Sequence, residues 1–170
     1  MIGKVKNLQE LFEIELRYAY DCEQKLIKKG LPAMIESANS SELRSALQQH
    51  LQETRGHAVR LERVFGTLGA EPATKDNDVV DDLMDAAKDS VSNIDDSPLR
   101  DAALIFNGNE VEHYEIGLYG ALAAFARNLG LKDAVSLLED TLKEEKAADA
   151  KLTQIAETVM NQRAARQQTA

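Results

Sequence analysis

The sequence predicts an all-α fold in which four long helices form one bundle. Three observations carry this. Ala, Leu, Glu, Lys and Gln, all good helix formers, dominate the chain, while Pro occurs three times and Trp not at all. Apolar residues recur at steps of three and four through four long stretches. Punctuation between the stretches is short, then long, then short. With 170 residues, 44% of them hydrophobic, the chain is large enough for one domain with a sizeable core.

Helix A is expected over 4–29. Leu8, Phe12, Leu16, Ala19, Leu26 and Gly30 form its stripe, interrupted once by Glu23. Gly30 and Pro32 mark a break or kink, with a short helical piece over 33–38. Ser40 or Ser41 can cap helix B, expected over 41–68. Its stripe is Leu43, Leu47, His50, Thr54, His57, Leu61, Val64 and Leu68, with Glu53 on the same side as His50 and His57. Residues 70–97 read as a crossover with a short amphipathic helix over 79–91, whose Asp run is a solvated face. Ser97-Pro98 starts helix C, expected over 98–127. Glu112, Glu115 and Tyr119 interrupt its apolar stripe, and Gly108, Gly117 and Gly120 suggest close approach of another helix, within the chain or across a dimer contact. Helix D is expected over 131–162, with the stripe Leu138, Leu142, Glu145, Asp149, Leu152, Ala156 and Val159. Residues 163–170 read as a polar tail, so the bundle domain spans 1–162. Short A–B and C–D connections make two antiparallel hairpins, and the long B–C crossover sets helix C parallel to helix B. This is the ferritin-like arrangement.

Each long helix thus carries acid on a face that should be apolar. The candidate site is Glu23, Glu53, His57, Glu112, Glu115, Glu145 and Asp149. Unpaired charges cannot be left in an apolar core. A pair of divalent cations resolves this, and six carboxylates with one imidazole suit iron, with manganese as the alternative, better than zinc or copper. The second nitrogen of His57 then needs an outer acceptor. His50 reads as a core or outer hydrogen-bonding residue rather than a ligand, and His113 as surface or interface. Tyr119 reads as a buried tyrosine with a bonded hydroxyl, with a radical or proton role as the alternative. Glu110 and Glu144 read as solvent-facing, Glu144 being the substitute should Glu145 be mis-phased. A weak internal repeat matches Leu51, Glu53, Leu61 and Val64 with Leu142, Glu144, Leu152 and Ile155.

The net charge of −9 and pI of about 4.9 disfavour nucleic acid and anionic membranes as partners. The lone Cys22 forms no intrachain disulfide and no cysteine metal site. The N-terminus lacks the apolar run of a signal peptide and no stretch is long enough to span a membrane, so the expected location is the cytoplasm.

Glu-Val-Glu-His-Tyr-Glu-Ile-Gly-Leu-Tyr-Gly (110–120) resembles the helix C signature of the YciE/YciF stress-induced, ferritin-like bacterial proteins. Residues 20–26, 53–62 and 142–152 resemble their helices A, B and D. The resemblance spans nearly the whole chain. It implies a ferritin-like fold, a dinuclear metal centre, a homodimer and a place in stress responses, with Glu23, Glu53, His57, Glu112, Glu115 and Glu145 as ligands. The chain departs from the wider di-iron pattern of Glu-x-x-His on two helices: helix B has Glu-x-x-x-His, helix D has Glu-x-x-x-Asp, and Glu112-x-x-Glu115 is closer to rubrerythrin. The leading expectation is a di-iron or di-manganese protein reducing peroxide or O₂. The alternatives are iron storage with ferroxidase activity, and a non-catalytic helical interaction protein whose polar layer sets helix register.

Overall fold

The computed structural model describes residues 4–95 and 97–166. Asn7 caps α1 (Leu8–Lys25) by accepting the Glu10 N–H at 2.8 Å. A π-helical turn, Leu26–Gly30, then leads directly into α2 (Leu31–Ser37). The chain does not break at Gly30 and Pro32. The Leu31 N–H reaches back five residues to the Leu26 carbonyl, so the helix slips register ahead of Pro32 instead of stopping.

Ser40 caps α3 (Ser41–Thr67), and Asn77 caps α4 (Asp78–Ser92) within the crossover. Ser97 caps α5 (Pro98–Asn128), with Pro98 in the first turn. After Gly130, at φ 74°, α6 (Lys132–Ile155) begins; it passes through a second π-helical turn, Ala156–Met160, into α7 (Asn161–Arg166). Residues 163–166 of the expected polar tail are therefore helical, and residues 167–170 lie outside the described residues, as do 1–3 of the expected leaderless N-terminus.

α1 and α6 each pack against both α3 and α5. Cross-helix pairs give the directions. Tyr20 donates to Glu62 while Glu23 faces His57, so α1 and α3 are antiparallel. Arg60 meets Thr141 while Leu47 and Leu152 wall one cavity, so α3 and α6 are antiparallel. Arg127 meets Glu139 and Asn109 meets Thr153, so α5 and α6 are antiparallel. α3 and α5 thus run parallel, and residues 68–97 cross the length of the bundle between them. The fold is the all-α ferritin-like bundle.

The crossover is anchored rather than draped. The Asn77 N–H donates to Asp21 at 3.0 Å, and its side chain donates to the Tyr18 carbonyl and the Tyr114 hydroxyl. The Asp run is mostly solvated, but Asp76 and Asp81 pair with Lys25, which Asp21 also holds.

The apolar core falls into two clusters. Phe12, Leu16, Leu61, Phe65, Tyr119, Leu122 and Leu138 fill one end. Cys22, Leu26, Leu43, Leu47, Leu104, Ile105, Leu152 and Ile155 fill the other. What separates them is polar.

Candidate metal centre

Between the two clusters, four carboxylates and two imidazoles are buried: Glu23 and Glu145 at 0% exposure, Glu115 at 1%, Glu112 at 3%, His57 at 0% and His50 at 6%. α1 supplies Glu23, α3 supplies His50 and His57, α5 supplies Glu112 and Glu115, and α6 supplies Glu145. α3, α5 and α6 reach this level near mid-length and α1 just before its π-helical turn, and in each the buried apolar positions continue on both sides, which holds the polar residue inward.

Glu145 is central. Its Oε1 lies 2.9 Å from His57 Nδ1 and its Oε2 lies 3.9 Å from His50 Nε2. Glu23 completes a triad with His57 and Glu145, and Glu112 completes a second with His50 and Glu145; within each triad the donor atoms lie within 4.8 Å of one another. Glu23 Oε1 is 3.6 Å from His57 Nδ1, and Glu112 Oε1 is 3.0 Å from His50 Nε2. One carboxylate therefore spans two clusters of nitrogen and oxygen donors.

The approaches within the layer are close but poorly aligned. Both oxygens of Glu145, Glu23 Oε2, Glu112 Oε2 and Nδ1 of each histidine are buried without a hydrogen-bond partner. Burial pushes Glu23 up to about 8, against the pull of His57, and Glu145 adds to the rise. Burial, then repulsion from Glu145, Glu23 and Glu112, holds Glu115 well above the usual carboxylate range. Burial followed by repulsion from Glu112 does the same to Glu145. His50 moves in its charged direction: burial opposes its protonation, but the carboxylates of Glu112 and Glu53 outweigh it. A set of buried donors crowded until they resist ionisation is what divalent cations relieve, so the residues present fit a pair of them.

His57 is oriented from outside. Arg60 grips Glu144 with two N–H groups, each at 2.7 Å, and holds its carboxyl below the usual range. Glu144 in turn faces His57 Nε2 at 3.0 Å. With its Nε2 protonated the ring donates to that acid, which leaves Nδ1, facing Glu23 and Glu145, as the nitrogen able to take a metal. This supplies the outer acceptor that His57 requires as a metal ligand. Tyr119 donates its hydroxyl to Glu23 Oε1, fixing that carboxylate, and Cys22 Sγ lies 3.7 Å from Glu115 Oε1. Burial first, and then the charge of Glu115, pushes the Cys22 thiol up, so it is not an activated nucleophile.

The structure thus brings together Glu23, His57, Glu112, Glu115 and Glu145 of the seven predicted residues. Glu53 stands at the rim, its side chain 32% exposed, with Oε2 3.7 Å from His50 Nδ1 and Oε1 accepting from Gln49 at 2.8 Å. Asp149 is turned away toward His113, at 3.2 Å. The buried line of α6 runs Leu138, Thr141, Glu145, Leu152 and Ile155. One turn after Glu145 that line passes through Ala148, and Asp149 is rotated a further 100° toward α5. Sequence reasoning keeps His50 as a core or outer hydrogen-bonding residue, and it lies in the layer with Nε2 3.0 Å from Glu112 Oε1; Glu144, read as solvent-facing, is instead partly buried against Arg60 and His57. His50 was legible as a member of the α3 stripe two turns before His57. Glu144 was legible through the weak repeat: it aligns with Glu53, and each faces the outer nitrogen of one histidine.

Comparison with known proteins agrees with this architecture. The sequence matches the family described as Domain of unknown function (DUF892) over residues 7–165. The chain belongs to this family. It is 34% identical over 161 residues to Protein YciF of Escherichia coli strain K12, covering 94% of this chain and 96% of that one. The crystal structure of the E. coli stress protein YciF superposes with a TM-score of 0.87 at 33% identity, over 92% of this chain and 99% of that chain. YcfI of Rhodopseudomonas palustris superposes with a TM-score of 0.86 at 39% identity, over 90% and 97%. The YciF-type relationship expected from the helix motifs is therefore shown. No helix among the described residues is long and apolar enough to cross a membrane.

Proposed function

We propose that this protein is a ferritin-like stress-response protein that holds a pair of divalent metal ions, iron or manganese, in its polar layer. In this reading Glu145 would hold both ions, His57 and Glu23 would join it at one, His50 and Glu112 at the other, and Glu115 would complete the set. The observation that carries this reading is Glu145: a fully buried carboxylate whose two oxygens lack hydrogen bonds and face a different histidine each. Charge supports it as well, because four ionised carboxylates and two M²⁺ ions sum to zero in a layer sealed between apolar clusters. Oxygen-rich ligation with imidazole suits iron and manganese.

Iron or manganese held there would supply redox chemistry toward peroxide or O₂, the metals being oxidised as the oxidant is reduced. The chain's own residues hold the ligands in place: Arg60 and Glu144 set the His57 ring, and Tyr119 sets Glu23. The stress role rests on kinship with the E. coli stress protein YciF. We take the protein as a cytoplasmic homodimer.

The second reading is a non-catalytic helical protein whose polar layer only sets helix register. The close pairs His50–Glu112 and His57–Glu145 favour it, since they partly neutralise the layer without metal. Thermal melting decides between the two. A metal protein melts higher with Mn²⁺ or anaerobic Fe²⁺, by about 2.7 kcal/mol of added stability at a hundredfold excess over Kd. A melting curve that metal leaves unmoved would support the register reading instead.

A further inference from the structure

A cavity of about 250 Å³ opens between α3 and α6. Ala46, Leu47 and Gln49 on α3, and Ala147, Ala148, Lys151 and Leu152 on α6, form its walls together with His50 and Glu53, so one lysine and one carboxylate stand on it. Its width comes from alanine: larger side chains at 46, 147 and 148 would close the seam between the helices.

The two histidines of the layer differ here. His57 has its outer nitrogen bonded to Glu144 at 3.0 Å. His50, only 6% exposed, has no such bond: its Nδ1 is buried without a hydrogen-bond partner, 3.7 Å from the half-exposed Glu53 carboxylate. Its Nε2 faces Glu112 and Glu145. One imidazole therefore has one nitrogen toward Glu53, which lines the cavity, and the other toward the centre. Glu53 Oε2 and His50 Nδ1 stand at a spacing that one divalent cation can bridge, since its bonds to such atoms are about 2.0–2.2 Å each.

We propose that the α3–α6 cavity is the route by which divalent cations load the centre, with Glu53 and His50 Nδ1 forming a transit site at its inner end. The proposal rests on the metal reading above. Glu53, with one carboxylate oxygen on solvent-exposed Gln49, captures the hydrated ion; His50 Nδ1 takes it after releasing its proton to solvent, and a turn of the ring carries the ion to Glu112 and Glu145. A residue predicted as a ligand of the centre thus acts one step outside it.

The test is stopped-flow loading of the full chain with Co²⁺, followed by its visible absorbance, alongside metal content at equilibrium. In Ala46→Leu/Ala147→Leu the mouth is narrowed by good helix formers at two lining positions that are not themselves among the six buried ligands. Loading is expected to slow by about tenfold or more, a barrier increase of about 1.4 kcal/mol, with the final content unchanged. Glu53→Gln is expected to slow loading without narrowing the cavity. Circular dichroism confirms that both variants fold, and if the double variant does not, Glu53→Gln decides alone. Unchanged rates in the folded variants overturn the route while leaving the metal reading intact. Lost capacity in the double variant also overturns it, by making these alanines part of the site wall. A folded wild-type protein that takes up no Co²⁺, Mn²⁺ or Fe²⁺ overturns both.

Discussion

His57 turns Nδ1 toward Glu145 and His50 turns Nε2 toward it, so the two rings meet one carboxylate through opposite nitrogens. The general di-iron bundle gathers four Glu and two His as single Glu residues on two helices and Glu-x-x-His on the other two. This chain buries the same inventory in a different distribution. Thr54 stands three residues before His57, and Ala148 stands three after Glu145, where the general pattern has Glu and His. His50, from the facing helix, shares a cavity wall with Ala148 and fills that room. Glu115, one turn after Glu112, restores the missing acid. Compensation between helices is invisible to a motif read along one helix, which is why His50 was not grouped with the buried acids it faces. At this scale Glu144→Ala should weaken Mn²⁺ affinity by about 10–100-fold, because His57 loses the acceptor that sets its tautomer. Competition with a chromophoric chelator measures this. Unchanged affinity would remove Glu144 from the account. Tyr119→Phe should cost about 1–2 kcal/mol in the metal-free protein, read from urea unfolding, because Glu23 loses its buried donor.

The elements themselves were largely legible. Asn7, Ser40 and Ser97 cap where their sequence context places a helix start, and Pro98 follows as a first-turn residue. What the pattern could not convey was register. Both π-helical turns follow a polar ligand-bearing helix, one after Glu23 and one beyond Glu145. Each adds a residue to a turn, which a 3.6-residue periodicity reads as a break or passes over. The helix C glycines separate by environment. A Cβ on Gly108 would lie 2.9 Å from Leu152 Cδ1 and 3.3 Å from Met34 Cε, so this glycine serves packing within the chain. At Gly117 and Gly120 an added Cβ meets nothing within 4 Å. Gly117→Ala and Gly120→Ala should therefore each stabilise the protein by about 1 kcal/mol through helix propensity alone, measured by chemical denaturation. Destabilisation at either would show that a second subunit packs on that face of α5, the dimer contact proposed above.

Across the whole molecule, the polar layer ties stability to pH and to metal together. Glu23 has a folded pKa of about 8, against about 4.3 in an unfolded chain. The folded state therefore retains a proton that the unfolded chain has released. This contribution to stability is full below the unfolded value and is lost as pH rises toward 8. His50 has the same sign: its folded pKa is raised, so its contribution is full below about 6.5 and lost as pH rises through the folded value. Glu53 and Glu144 are held low by His50 and Arg60 and act oppositely, but only below the ordinary carboxylate range. The metal-free protein should thus lose stability between about pH 5 and 8, by about 1.4 kcal/mol per pH unit from Glu23, with His50 adding to the loss only above about pH 6.5. Metal should reverse the trend, because cations bind the deprotonated ligands. Urea midpoints at pH 5.5 and 8, with and without Mn²⁺, check this; a metal-free midpoint that rises with pH would contradict it.

The central claim is that Glu145 joins two ions in one layer, and metal content tests it most directly. Wild type and Glu145→Ala would be loaded anaerobically with Fe²⁺ or with Mn²⁺, desalted and analysed for metal per chain. The account predicts a pair of ions per wild-type chain and no paired occupancy in the variant. Trace metal in folded wild type, or an unchanged pair in Glu145→Ala, would contradict it.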